Sequence, residues 1–171
     1  MNVVDGEFVL RAASSDDLLL VKKTLYTALS WNPLDPVPAF EVVVSHPKIA
    51  IYHEGWMRDG DDGVVAETKD GVFVGMAFCR LFTNSDEAQG FVDGQTPELA
   101  VGVEAEFRGR GVGRRLLERL RESRAAADVE RMSLSVDADN RALQLYETLG
   151  YTEERRHGDG IVMIATLIPV P

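Results

Sequence analysis

Hydrophobic positions along this chain switch between two spacings, one of strands and one of helices, and each segment predicts an element. Phe8-Val9-Leu10-Arg11 reads as a short first strand. Ser14-Ser15-Asp16-Asp17 follows, a hydroxyl cap with acids in the first turn of a helix. Leu18, Val21, Leu25 and Leu29 then recur on one helical face, and the helix stops near Trp31-Asn32-Pro33. Pro33, Pro36 and Pro38 stiffen a connector, and Phe40 to Tyr52 predicts one or two short helices broken at Pro47. Asp59 to Gly63 reads as a surface turn. The spacing then changes to strands: Val64 to Thr68 and Val72 to Phe82 form a hairpin across Lys69-Asp70-Gly71. Thr83 to Gly94 is polar loop, and Glu98 to Val103 is a further strand. An amphipathic helix follows from Val112 to about Ala127, then an alternating strand from Arg131 to Val136. A helix beginning at Asn140 carries its stripe at Ala142, Leu145, Tyr146 and Leu149, and Gly150 closes it. Tyr151 to Arg156 and Ile161 to Ile168 make a last hairpin across His157 to Gly160. The predicted order is β-α-(α)-β-β-β-α-β-α-β-β, with no internal repeat.

Composition narrows the class. The chain has 171 residues, 45% hydrophobic and 27% charged, which suits one soluble domain over 1–171. A chain this long can bury roughly 70% of its unfolded surface, so it needs no disulfide or metal staple. The one cysteine, Cys79, lies in an apolar strand and is expected to be a small buried hydrophobe in a reducing, cytoplasmic setting. Met1 to Leu10 does not resemble a signal peptide, and no apolar run approaches the ~18 residues of a membrane span. His46, His53 and His157 lack zinc spacing, so no metal is expected.

Charge adds one contrast. The net charge is −10, yet Arg108 to Arg124 holds seven arginines and two acids, leaving −15 on the remainder. An acidic body repels nucleic acid, and one basic island suits a small polyanion bound in one place. That island opens with Arg108-Gly109-Arg110-Gly111-Val112-Gly113, between a strand and a helix. Such a turn bares backbone N–H groups at the positive end of the helix dipole and is suited to phosphate. A dinucleotide fingerprint fits poorly, because the glycines fall at 109, 111 and 113, far into the chain; the P-loop pattern is absent. On the turn alone, a glycine-rich connection leading into a helix of surface arginines is the competing reading.

Two motifs in order change the balance. Glu98 through Gly113 resembles the central motif of the GNAT superfamily of N-acetyltransferases, whose R/Q-x-x-G-x-G/A turn is matched by Arg108, Gly111 and Gly113. Asn140, Tyr146, Gly150 and Tyr151 match a second motif, N-x5-Y followed by G-[YF], one helix and one strand later. The clear resemblance runs over 64–168. Ala105 departs from it, since many relatives have proline after the strand. The resemblance implies an α/β (α+β) fold: a central, mixed, mostly antiparallel sheet flanked by helices. It further implies an enzyme, an acyltransferase that moves an acetyl group from acetyl-CoA to a primary amine by direct attack in a ternary complex.

Site residues follow from the same resemblance. The cofactor would lie against Val101, Val103, Arg108, Gly109, Arg110, Gly111, Val112, Gly113, Arg114 and Asn140. Backbone N–H groups of about 110–115 would cradle the pyrophosphate, since glycines allow close approach. Ala100 and Gly102 leave one strand face uncovered; pantetheine along the strand and a closely packed helix are the two readings of that face. Amine acetylation needs a base, oxyanion donors and a proton for the thiolate. Glu98 is the candidate base, against a solvated strand-end glutamate, with Glu104 as a weaker alternative. The N–H near Val103 is the candidate oxyanion donor. Tyr146 is the candidate acid, against a core aromatic. Asn140 caps its helix, touches the cofactor, or both. Trp31, Phe40, Tyr52, Trp56 and Phe91 with Glu54, Asp86, Glu87 and Asp93 would frame a cationic acceptor, or are loop charges and satellite core. A non-catalytic acyl-CoA sensor and, less favoured, an arginine-based nucleic-acid module remain the alternatives. Edge strands leave a homodimer open.

Overall fold

The computed structural model describes residues 3–167, with side chains over 6–167. In chain order the elements are β1 Val3–Asp5, β2 Phe8–Ala12, α1 Leu18–Leu29, α2 Phe40–Ser45, α3 Pro47–Ala50, β3 Asp62–Thr68, β4 Phe73–Arg80, β5 Glu98–Val103, α4 Val112–Ala126, β6 Arg131–Asp137, α5 Ala142–Thr148, β7 Thr152–His157 and β8 Gly160–Thr166. One sheet takes all eight strands in the order β1-β2-β3-β4-β5-β6-β8-β7. Every neighbouring pair is antiparallel except β5 and β6, which are parallel. The expected order holds, with β1 added at one edge. Ile168, expected to end the last strand, lies outside the described residues.

Helices cover both faces. On one, Val112, Leu116, Leu117 and Leu120 of α4 pack with Tyr146 of α5 against Ala77, Cys79, Leu99, Met132, Leu134 and Met163. On the other, Val21 and Leu25 of α1 pack with Tyr52, Met76, Phe78 and Phe82. Cys79 is fully buried and its thiol is pushed up to about 12, chiefly by desolvation, which suits a packing residue. The expected hydroxyl cap before α1 is present, and Asp17 extends it to a capping box: Asp16 N–H donates to Ser14 Oγ, and Ser14 N–H to Asp17 Oδ2.

The expected stripe of α1 is only half buried. Val21 and Leu25 are inside, but Leu18 and Leu29, at the two ends of the helix, are 37% and 46% exposed. Thr24, a polar residue, is buried instead. It faces Gly102 of β5, where an added Cβ would stand 2.8 Å from the Thr24 carbonyl oxygen and 3.3 Å from Thr27 Cβ. The uncovered face of Ala100 and Gly102 is therefore the seat of α1, and pantetheine does not lie there. Gly102→Ala should force α1 off the sheet and cost about 1–3 kcal/mol. A thermal melt should show a drop of roughly 2–10 °C; an unchanged midpoint would contradict this packing.

The turn before β3 also differs from expectation. Asp62 and Gly63 already belong to β3, and Asp61 is a fully buried ion-pair partner of Arg80. Arg80 Nε and Nη2 donate to the two Asp61 carboxylate oxygens at 2.9 and 2.7 Å.

Candidate active site

The site begins where the sheet parts. β5 and β6 share a single register pair, Glu98 with Ser133, and diverge beyond it. Glu104 N–H donates to the Val74 carbonyl on the β4 side, whereas the Pro97 carbonyl accepts from Ser133 on the β6 side. Main-chain groups alternate sides along a strand. The N–H and C=O of Val101 and Val103 therefore point into the opening, where no strand meets them. Their side chains join the α4-face core beside Val136 of β6.

The chain then turns through Arg108 to Gly113 into α4. Gly109 and Gly111 have φ of +74° and +78°, the left-handed region that favours glycine, and a Cβ on either would meet nothing within 4 Å. Gly113 is helical, with its Cβ direction 3.8 Å from Leu145 Cδ2 and Val103 Cγ2, so it needs no unusual backbone. Gly111 is the N-cap, no side chain caps the helix, and no acid stands in its first turn. Val112 is buried beneath it. A fifteen-residue helix thus presents uncapped N–H groups beside the open strand edge.

The arginine island divides. Arg108 Nε donates to the Val103 carbonyl at 2.9 Å, which fixes it at the mouth of the opening. Arg110 pairs with Glu7, and Arg114 reaches Glu118 and the Thr148 hydroxyl. These are exposed pairs worth about 0–1 kcal/mol, which a phosphate can displace. Arg121 lies 5.4 Å from the Tyr151 ring centroid and donates to the Leu149 carbonyl, and Arg124 pairs with Asp62 at 2.7 Å. Those two hold α4 in place.

Tyr146 lies in the same apolar cluster as Val101, Val103 and Val136, on both sides of the opening. It is 7% exposed, and burial raises its hydroxyl pKa above the ordinary value, so it stays protonated. The Tyr151 hydroxyl is sealed without a well-formed hydrogen bond, and Tyr146 packs edge-on to it with ring centroids 6.0 Å apart. Gly150, at φ +85°, ends α5, and Tyr151 N–H returns to the Tyr146 carbonyl at 3.1 Å. The N-cap of α5 is Arg141, not Asn140; Asn140 stands one residue before it, and its Oδ1 accepts from the first helical N–H, Ala142, at 2.9 Å.

Glu98 departs from a solvated strand end. It is 5% exposed, its Oε1 accepts from the Tyr52 hydroxyl at 2.8 Å, and its Oε2 is sealed without a well-formed hydrogen bond. Desolvation lifts its pKa to about 7, against smaller opposing effects of Tyr52, the Gly90 amide and the charge of Arg155. Tyr52 had signalled only an acceptor wall in the sequence, because its partner stands 46 residues away. Glu104 is separate from this cluster. It lines an open groove of about 610 Å³ with Tyr26, Thr27, Phe40 and Phe73.

Two of the four expected acceptor carboxylates, Asp86 and Asp93, have local work. Asp86 closes a capping box on Thr83, whose N–H and hydroxyl hold its carboxyl below the usual range. Asp93 accepts from Gln95 N–H and pairs with Arg131. Trp56 donates to the Ser14 carbonyl, and Phe91, within the 81–97 loop, packs against the α1-side core. Trp31 instead crosses from the end of α1 to Asp137 at the end of β6, donating at 3.0 Å. No candidate metal cluster occurs among the described residues.

Comparison with known proteins agrees with this geometry. The model of the acetyltransferase (GNAT) family matches residues 29–151, and the chain belongs to that family of acyl-transferring enzymes. Among solved structures, PaiA N-acetyltransferase from Thermoplasma acidophilum, in complex with coenzyme A, is 14% identical, with a TM-score of 0.69 over 93% of this chain and 98% of its own. YncA from Salmonella typhimurium, a putative acetyltransferase with acetyl-CoA, is 22% identical, with a TM-score of 0.68 over 97% of each chain. Spermidine/spermine N-acetyltransferase SpeG from Vibrio cholerae is 19% identical, with a TM-score of 0.61 over 94% and 93%. No curated protein matches the chain in sequence.

Proposed function

We propose that the protein transfers an acetyl group from acetyl-CoA to a primary amine by direct attack within a ternary complex, with residues 1–171 forming one acetyltransferase domain. The observation that carries this reading is the junction of two backbone surfaces: the β5 edge at Val101 and the Val103 N–H, which no strand meets, and the uncapped start of α4. The first suits the amides of a pantetheine arm as an added partial strand. The second suits a pyrophosphate, with Arg108, Arg110 and Arg114 adding charge. Coenzyme A in one structural neighbour and acetyl-CoA in another support the same ligand here.

In this reading Glu98 takes the amine proton through the buried polar cluster around it. Tyr146 gives a proton to the departing thiolate. Its raised pKa keeps that proton in place at neutral pH. The polyamine acetyltransferase among the neighbours favours a small cationic amine as acceptor, in keeping with the acidic body.

Thermal melting with acetyl-CoA near 100 times its Kd should add about 2.7 kcal/mol of stability. Thiol release with a panel of polyamines, amino acids and amino sugars then separates an enzyme from a sensor. Tyr146→Phe should slow turnover while leaving acetyl-CoA affinity within about twofold, since only transition-state proton donation is lost. Equal losses in both would return Tyr146 to a packing role.

A further inference from the structure

The neighbours of Glu98 are arranged to keep its carboxyl from an ordinary ion pair. β4 places Arg80 opposite it: the two are register partners, and such pairs share a face with Cα atoms about 5.5 Å apart. β6 places Ser133 beside it, with a buried hydroxyl that has no partner. The turn after α3 brings Tyr52, the 81–97 loop brings the amides of Gln89 and Gly90, and β7 adds the charge of Arg155. A buried glutamate facing an arginine would normally pair with it and ionise readily. Arg80 does not do this. Its Nε and Nη2 go to Asp61, and its Nη1 donates to the carbonyls of Ile51 and Glu54 at 2.9 and 2.7 Å. Both side chains of that pair are fully enclosed.

Tyr52 acts in the opposite sense. Its hydroxyl accepts from Gln89 N–H at 3.1 Å, so its single proton is committed to Glu98 Oε1. Its ring packs edge-on to Phe82, with centroids 5.0 Å apart, a contact that phenylalanine would keep.

We propose that Tyr52 and Asp61 are positioning residues for Glu98: Tyr52 donates a hydrogen bond to its carboxylate, and Asp61 holds Arg80 away from it. This rests on the reading of Glu98 as the base. The two residues pull the carboxyl in opposite directions. Loss of the Tyr52 hydroxyl removes a stabiliser of the charged form. Loss of the Asp61 charge frees a cation one strand away to pair with Glu98.

The test is a pH titration of the Glu98 carboxyl by carbon NMR in protein labelled at glutamate Cδ, its resonance assigned by its loss in Glu98→Gln. Tyr52→Phe should move the midpoint up by at least about one pH unit, a tenfold change in proton affinity. Asp61→Asn should move it down by a similar amount. Shifts in the same direction, or none in Tyr52→Phe, would overturn the proposal. Should Asp61→Asn fail to fold, the double variant Asp61→Asn/Arg80→Met removes both charges and should leave the midpoint near that of the parent. A rise in the double variant comparable to that in Tyr52→Phe would show that Arg80 already acts on Glu98, and would refute the role of Asp61. Acetyl-CoA is titrated calorimetrically into the same samples. Absence of heat in the parent protein would defeat the proposed function, while the NMR midpoints would still decide on Tyr52 and Asp61.

Discussion

Gly111→Val is expected to abolish acetyl-CoA binding in a protein that still folds. The backbone there stands at φ +78°, where a β-branched residue is strained by roughly 1–2 kcal/mol. That is a small part of the roughly 5–15 kcal/mol stability of a typical domain, so folding survives. A Cβ at this position meets no protein atom within 4 Å. It projects instead into open space at the N-cap of α4, beside the N–H groups where the pyrophosphate is proposed to sit. Isothermal titration should show heat with the parent protein and none with the variant. Gly55→Val is the control: its φ is +62°, its Cβ direction is equally open, and it lies beside residues of the α1-side core. It carries similar strain and should bind normally. Binding retained by Gly111→Val would remove the phosphate turn from the site.

That turn was legible in the sequence because its requirements are local. Two glycines at a left-handed backbone and a helix that starts without a capping side chain are set by adjacent residues. The hydroxyl cap before α1, the break at Pro47 and the glycine after α5 were legible for the same reason. What escaped depends on partners far along the chain. Asp61 sits in Asp59-Gly60-Asp61-Asp62-Gly63, a run that reads as solvated turn, and only the fold brings Arg80 to it. Ala100 and Gly102 announced that something approaches β5 closely; small residues alone could not distinguish a ligand from α1. The arginine island was a correct contrast of charge but not one site, since Arg121 and Arg124 face the sheet side of α4 and are used in packing. Glu98 stood out by position at the start of its strand, while its burial came from the 81–97 loop, whose polar composition gave no sign of a cover.

Glu98→Gln should separate chemistry from stability in a single variant. As the proposed base, Glu98 accounts for roughly a 10²–10⁴-fold factor in kcat/KM, so the variant should lose about that much with acetyl-CoA affinity unchanged. Stability should move the other way, increasingly as pH rises from 4.5 to about 7. The folded-state pKa is raised, from 4.5 to about 7, so between these values the folded protein holds a proton that the unfolded chain has released. Stability attributable to this group therefore falls as pH rises through that window, and the full penalty is present above it. The size is on the order of 3 kcal/mol at pH 8 and under about 1 kcal/mol at pH 5. Glutamine does not titrate and escapes the penalty at both. Urea denaturation should thus show the variant gaining about 2–3 kcal/mol over the parent on going from pH 5 to pH 8, whatever fixed cost its amide carries. A pH-independent difference would mean that Glu98 is ordinarily ionised in the folded protein. The burial that sets its proton affinity would then have been offset by a partner, and the cluster of Tyr52, Arg80 and Asp61 would lose its bearing on catalysis.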